Sequence, residues 1–395
     1  MILNVILWFA AVVVGVLAAA GTLIVALPLT VKADLLQPLT LAAGVLAAAV
    51  VIYLLLIRWR KAARRVLYLL SSTALVVVLV LAIWTLMLRP SVGGAPVAIT
   101  PIGPLSELTW VDFVWQPVEL GGQIFERGAI FVPVRINDSE QTVYFQLDTG
   151  SPATLLYEGG LPGLTDFSLT VDTAGSPRAD LGIVRHVQLA LGGQITFTTP
   201  ELPVLLDYGE PASAEAGSLV PIGSIGADVL REHVLILDYA RQRLAIVDTL
   251  PETYMQSTAF VDAEMTGSRI KIPLTVGGQT DAYLFDTGAS LFAITTARGE
   301  WEKMVDTTQG VVEVPGVTTW GTAYTVVGGL PEVPVRLGET ELPQRNLYYH
   351  PAWVISVLFV QERVRGLVGN EFFYEGTVVI DFLGERFGYF EAAAL

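Results

Sequence analysis

The sequence predicts a mostly β protein: two homologous β-barrel-like lobes preceded by three transmembrane α-helices. Three observations predict it. The 395-residue chain is 52% hydrophobic and only 15% charged, and the apolar excess is concentrated in the first ninety positions. Beyond Glu107 the pattern becomes β-branched and aromatic residues alternating with polar ones, broken by Gly, Pro and Asp, which is strand-and-turn sequence. That second region contains an internal repeat.

The apolar stretches fall at about residues 2–28, 40–57 and 66–88, each near the ~20 residues that a helix needs to cross a bilayer. A cleaved signal peptide is the alternative for the first stretch, but its basic leading region is missing and two further stretches follow. Between the second and third stretches lies Arg58-Trp59-Arg60-Lys61-Ala62-Ala63-Arg64-Arg65, five cations in eight residues. The preceding loop has only Lys32 against Asp34, and Arg89 follows the third stretch. The positive-inside bias therefore predicts a multi-pass protein of the cell membrane, with a cytoplasmic N-terminus and everything after Arg89 extracytoplasmic.

Residues 1–90 carry seven Lys or Arg against the single acid Asp34, so the remainder holds −21 within a chain total of −15. So acidic a remainder is repelled by nucleic acid and by anionic head groups, and neither is expected as a partner. Cysteine is absent, which excludes disulfides, thiolate nucleophiles and Cys-bound metals. Residues 89–106 are rich in Pro and Gly and read as a tether. The expected organisation is an anchor over 1–89, a tether with a lead-in strand over 90–124, a first lobe over 125–248, a linker over 249–265 and a second lobe over 266–395. Helical periodicity is scarce, with short candidates near Ala227–His233 and Trp353–Glu362.

The repeat is read directly from the residues. Ile130-Phe131-Val132-Pro133-Val134-Arg135-Ile136 is echoed by Ile270-Lys271-Ile272-Pro273-Leu274-Thr275-Val276. Each copy turns into a second strand that ends in an acidic tripeptide, Asp148-Thr149-Gly150 in the first and Asp286-Thr287-Gly288 in the second. Later, Ile225-Gly226-Ala227-Asp228 matches Val368-Gly369-Asn370-Glu371, and twelve residues after each Gly an Asp closes a strand, Asp238 and Asp381. One Asp-Thr-Gly is a weak signal. Two at equivalent points of a duplication, each behind an apolar strand, are not.

Two lobes related by a pseudo-two-fold can bring these loops together on their common axis. Carboxylates in contact cannot both ionise cheaply, so they share a proton. The ionised member can deprotonate a water while the protonated member donates to a carbonyl. Thr149 and Thr287 offer hydroxyls that tie one loop to the other, and Gly150 and Gly288 permit a sharp turn. Ser151 can donate to an ionised Asp148, which Ala289 cannot do for Asp286, so Asp148 is expected to be the more acidic member and Asp286 to hold the proton.

Asp148-Thr149-Gly150-Ser151 and Asp286-Thr287-Gly288-Ala289 resemble the signatures of pepsin-like and retropepsin-like aspartic peptidases. Leu367-Val368-Gly369 resembles the hydrophobic-hydrophobic-Gly element that crosses behind each catalytic loop in that superfamily; Ile225-Gly226 is a poorer copy, because Ser224 stands where a second aliphatic is usual. The resemblance covers about residues 125–392. It implies a bilobal pepsin-like acid protease fold and peptide-bond hydrolysis by Asp148, Asp286 and a water, with no metal or organic cofactor. A peptide or protein substrate and a site complete within one chain, needing no oligomer, follow from the same resemblance. Pepsin-like enzymes carry a flap tyrosine in the first lobe, whereas residues 160–206 contain no Tyr or Trp. The expected first-lobe flap is a hairpin over Val171–Leu181 with Ala174, Gly175 and Ser176 at its tip; the second lobe offers Gly316–Val326 with Trp320 and Tyr324.

His186, His233 and His350 are scattered without metal-ligand spacing. Asp238 and Asp381 precede Arg-containing turns and read as turn or ion-pair residues, and Asp228 and Glu371 as holding loops through backbone N–H groups. The competing class is a non-catalytic, membrane-tethered peptide-binding or sensor module with the same lobes.

Overall fold

The computed structural model describes residues 98–161, 169–174, 180–211, 219–319 and 322–391. These residues are mostly strand, and the longest helix, Trp353–Glu362, has ten residues. No helix among the described residues is long and apolar enough to cross a membrane. The expected fold class is corrected accordingly: the β character is found, and the three transmembrane helices are not seen. The stretches 2–28, 40–57 and 66–88 that carried that expectation lie outside the described residues.

Both lobes lie within one compact unit, Ser91–Thr319 with Ala323–Leu395. The first lobe is an eight-stranded sheet and the second a ten-stranded one, with a six-stranded sheet shared between them. Strands form where apolar residues alternate. Val143-Tyr144-Phe145-Gln146-Leu147 buries its first, third and fifth residues, the period of a pleated strand with one face inward. Strand Val114–Leu120, within the expected lead-in, pairs with Gln123–Ile136 through a bulge between Gln116 and Val118.

Each lobe repeats one local topology around its acidic loop. In the first, Val143–Leu147 runs parallel to Pro221–Ile225, which in turn pairs antiparallel with Leu155–Tyr157. In the second, Gln279–Phe285 runs parallel to Gly366–Val368, which pairs antiparallel with Ile294–Thr296. A later strand thus passes between the two strands that flank each Asp-Thr-Gly loop, fixing both ends of the loop.

The shared sheet locates the pseudo-two-fold axis. Strand Val234–Asp238 of the first half pairs antiparallel with Gly376–Asp381 of the second, and Ile236 lies opposite Val379. The repeat that superposes Asp238 on Asp381 superposes Ile236 on Val379. An antiparallel pair of repeat-equivalent residues is where a two-fold must pass. Both strands are buried along their whole length because both faces are covered. Leu235, Leu237, Val378 and Ile380 face the main core, while Ile236 and Val379 face a second cluster with Leu250 and Tyr254. The helix Glu252–Ser257, in the segment expected as a polar linker, supplies Tyr254 to that cover. Asp238 and Asp381 act as their sequence context suggests: Asp238 accepts from Arg241 and Arg243, and Asp381 from Gly384 N–H and Arg386.

Candidate active site

The two Asp-Thr-Gly loops meet. The amide N–H of Asp148 donates to the carbonyl of Ile225 at 2.9 Å, and that of Asp286 to the carbonyl of Val368 at 2.8 Å, so each crossing strand aims one aspartate at the axis. The threonines then lock the loops together. Thr149 N–H donates to Thr287 Oγ1 at 2.9 Å and Thr287 N–H to Thr149 Oγ1 at 3.0 Å. Each hydroxyl passes its own proton to the carbonyl preceding the opposite aspartate, Thr149 to Phe285 O at 3.3 Å and Thr287 to Leu147 O at 2.8 Å. Both threonines are fully buried, so these four bonds form where water does not compete and an unmade bond costs most.

The glycines are required by close approach. A Cβ on Gly150 would overlap the carboxylate of Asp286, and one on Gly288 would come 2.7 Å from Asp148 Oδ1. Behind the loops, a Cβ on Gly226 would strike the backbone of Ala153, and one on Gly369 the carbonyls of Ala289 and Phe292. Asp228 fastens the first loop, accepting from Thr154 N–H at 2.8 Å and Thr154 Oγ1 at 2.6 Å. Where the first lobe has Thr154 the second has Phe292, which offers no hydroxyl; Glu371 still accepts from the N–H of Ala293, while its other oxygen is buried without a partner and burial pushes its carboxyl up to about 7. The second loop is also held by Asn370, which donates to Thr287 O at 2.9 Å and Ser290 Oγ at 2.6 Å while accepting from Tyr239 of the other lobe.

The two carboxyl groups hydrogen-bond each other, and burial is the first cause that raises both pKa values. Asp148 is pushed up to about 8, by burial first and then by the charge and hydrogen bond of Asp286, against a lowering contribution from the N–H of Ser151. Asp286 is raised by burial too, opposed by the N–H groups of Gly288 and Ala289 and by its hydrogen bond with Asp148. Both acids are thus held above the usual carboxylate range, as expected of two carboxyl groups that share one proton. The expected contact from the Ser151 hydroxyl to Asp148 is corrected: that hydroxyl donates to Ala153 O at 2.8 Å, and the backbone N–H of Ser151 reaches Asp148 Oδ1, at 3.0 Å.

A carboxyl raised by folding stabilises the fold below its unfolded pKa near ~4, and that contribution is lost as pH rises through about 8. We expect Asp148→Asn, which cannot ionise, to melt higher than the parent at pH 8 and equally at pH 3.5. Melting temperatures at the two pH values check this; a parent as stable as the variant at pH 8 would contradict the burial of an acid there.

Of the expected flap residues, Gly175, Ser176 and Trp320 lie outside the described residues. The arms of the first-lobe hairpin are joined by an antiparallel bridge between Asp172 and Ile183, and Ala174 is exposed, its N–H on Asp172 Oδ1 at 3.0 Å. In the second lobe, Val312–Thr319 and Thr322–Gly329 are strands, and Tyr324 packs edge-on against His350 with ring centroids 4.8 Å apart. His350 bonds Thr319 and Ala352, and burial lowers it to about 4. Among the described residues no cluster of His, Asp or Glu could hold a metal ion.

Three residues escaped the sequence reading. Tyr208 lies two positions beyond the window searched for a flap tyrosine, at a corner where Asp207 (φ 55°) and Gly209 (φ 91°) are left-handed. Its ring meets Tyr157 edge-on at 4.9 Å, and the charge of Asp148 raises both phenols after burial has done so. Tyr157 in turn hydrogen-bonds Ser224, which explains a hydroxyl where the repeat calls for an aliphatic. Arg269, only 4% exposed, donates through Nη1 to the carbonyl of Gly150; the sole signal was a cation where the first repeat has Ala129.

Comparison of the chain with family models and with curated proteins gives no match.

Proposed function

We propose that this chain is an aspartic-type endopeptidase in which Asp148 and Asp286 share one proton and activate a water between them. One observation carries the reading: two carboxyl groups from repeat-equivalent loops hydrogen-bond each other at the axis of the duplication, inside a cross-lobe threonine lock. Ionised Asp286 takes a proton from the water as its oxygen attacks the peptide carbonyl, and protonated Asp148 gives its proton to the carbonyl oxygen. The resulting tetrahedral diol collapses as Asp286 returns its proton to the amide nitrogen and Asp148 takes one from a diol hydroxyl, breaking the C–N bond and leaving the pair with one proton again. No covalent enzyme intermediate forms. An extended peptide suits such a site, with backbone hydrogen bonds giving affinity and side-chain pockets giving preference. Tyr157 and Tyr208 supply an aromatic wall on the Asp148 side.

The test is hydrolysis of an unstructured polypeptide by the full chain between pH 3 and 9, with and without a statine-type transition-state analogue. We expect analogue-sensitive cleavage with a bell-shaped kcat/KM whose alkaline limb falls as pH rises through about 8, where Asp148 loses its proton. A chain that binds peptides but cleaves none at any pH is the non-catalytic binding module instead.

A further inference from the structure

The repeat is symmetric at the dyad, but one charge beside it is not. Arg269 opens the strand Arg269–Val276, directly after a two-residue turn formed by Gly267 (φ 59°) and Ser268 (φ 62°). Its partner across that turn is Thr266. Two left-handed residues make the tight hairpin that matches strand twist, yet serine adopts this conformation reluctantly. Ser268 is 1% exposed, and its hydroxyl has no partner. A strained, buried polar corner is an unusual way to end a hairpin. Its effect is to drive the Arg269 guanidinium under the first catalytic loop, where Nη1 donates to Gly150 O. On its other side, Nε lies 3.4 Å from Oε1 of Glu362, the last residue of helix Trp353–Glu362. Glu362 is itself largely covered, with 13% of its side chain exposed.

We propose that Arg269 is a positioning residue of the dyad: its buried guanidinium, held from behind by Glu362, pins the first catalytic loop and supplies the fixed positive charge against which the two aspartates share one proton. The proposal rests on the peptidase reading for its kinetic consequence, though not for its electrostatics. The cation favours the ionised form of both Asp148 and Asp286, and it does so from inside the protein, where screening is weak. It therefore opposes burial, which alone would keep both acids protonated and leave no base for the water. The other ionisable groups facing the pair are the phenols of Tyr157 and Tyr208, which feel Asp148. The next charges along the Arg269 hairpin, Glu264 and Lys271, pair with each other at 2.8 Å, and Arg363 acts on Glu264. Arg269 and Glu362 thus form a two-residue tuning element, the cation lowering the dyad and the anion tempering the cation.

The test follows the carboxyl carbons of Asp148 and Asp286 by carbon-13 NMR titration of the full-length chain, alongside the pH dependence of kcat/KM. Arg269→Gln is expected to raise both macroscopic steps of the dyad by about one pH unit or more, carrying both limbs of the bell upward. Arg269→Lys restores the charge without the planar fork, so it returns the limbs toward their parental positions while kcat stays reduced. Glu362→Gln shifts the steps the opposite way, to lower pH. Opposite shifts in the two neutralising variants support the proposal. An unmoved dyad, or shifts of the same sign, overturns it, because a purely structural staple would not change sign. Should Arg269→Gln fail to fold, the direction of the Glu362→Gln shift decides. Failure of the peptidase reading shows separately, as a parent that cleaves nothing while its carboxyl titrations are still read by NMR.

Discussion

On the proposed reading, Asp148→Asn and Asp286→Asn are each expected to lower kcat/KM for peptide hydrolysis by about 10³-fold or more, in line with the ~10²–10⁴ that one positioned acid or base contributes. The two losses are not additive, because both variants abolish the same shared proton. Asparagine keeps the shape of aspartate and can still hydrogen-bond across the axis, so the fold survives and the missing step is chemical. It cannot take a proton from water at position 286, nor give one to a carbonyl at position 148. Initial rates on one fluorogenic peptide, with circular dichroism as the control for folding, check this. Either variant retaining more than about a tenth of the parental rate, where loss of an acid or base predicts far less, would remove the dyad from the mechanism.

Thr149→Val destabilises the chain by about 2–5 kcal/mol and abolishes most activity. Valine is close to isosteric, so no cavity opens. What disappears is one hydroxyl that accepts from Thr287 N–H and donates to Phe285 O. Both of those groups stay buried without partners, at a cost of roughly 1–3 kcal/mol each. Thr287→Val has the mirror effect through Thr149 N–H and Leu147 O. The double variant loses less than the sum, since the two hydroxyls serve one lock. Thr149→Ser, which keeps the hydroxyl, stays within about 1.5 kcal/mol of the parent because its hydrogen bonds remain. Denaturant unfolding of the four variants and the parent measures these differences. A Val variant as stable as the Ser variant would show that the cross-lobe bonds do not matter.

The repeat made much of this legible before any coordinates. It placed Asp148 and Asp286 at equivalent loop positions, paired Gly226 with Gly369, and assigned Asp238 and Asp381 to Arg-bearing turns, because each depends on residues close in sequence or on the duplication itself; that the two glycines belong to crossing elements came from the family resemblance. The helix Trp353–Glu362 was anticipated at its observed bounds, while Arg298–Met304 was not, since seven residues give too short a window for a 3.6-residue period. What the sequence hid are the relations that exist only across the axis. Arg269 reaches a loop 119 residues away, and nothing local to Ser268 or Ile270 announces that contact. The Ser151 hydroxyl, which the sequence offers to Asp148, turns instead to Ala153, a choice between two nearby acceptors that no sequence pattern marks. Tyr208 stands outside residues 160–206, where the flap pattern places a tyrosine, because it comes from the corner made by left-handed Asp207 and Gly209.

The opposition of Ile236 and Val379 in the shared sheet bears on how such a chain could arise and be built. A half ending at Val234–Asp238 would carry a bare, hydrophobic edge ready to zip onto any matching strand. The best match is its own twin, since a homodimer would seat Ile236 against Ile236 in the very register now used. With both halves in one chain that pairing is intramolecular, and Arg269, present in one half only, is an asymmetry that a covalent duplication allows and a symmetric pair forbids.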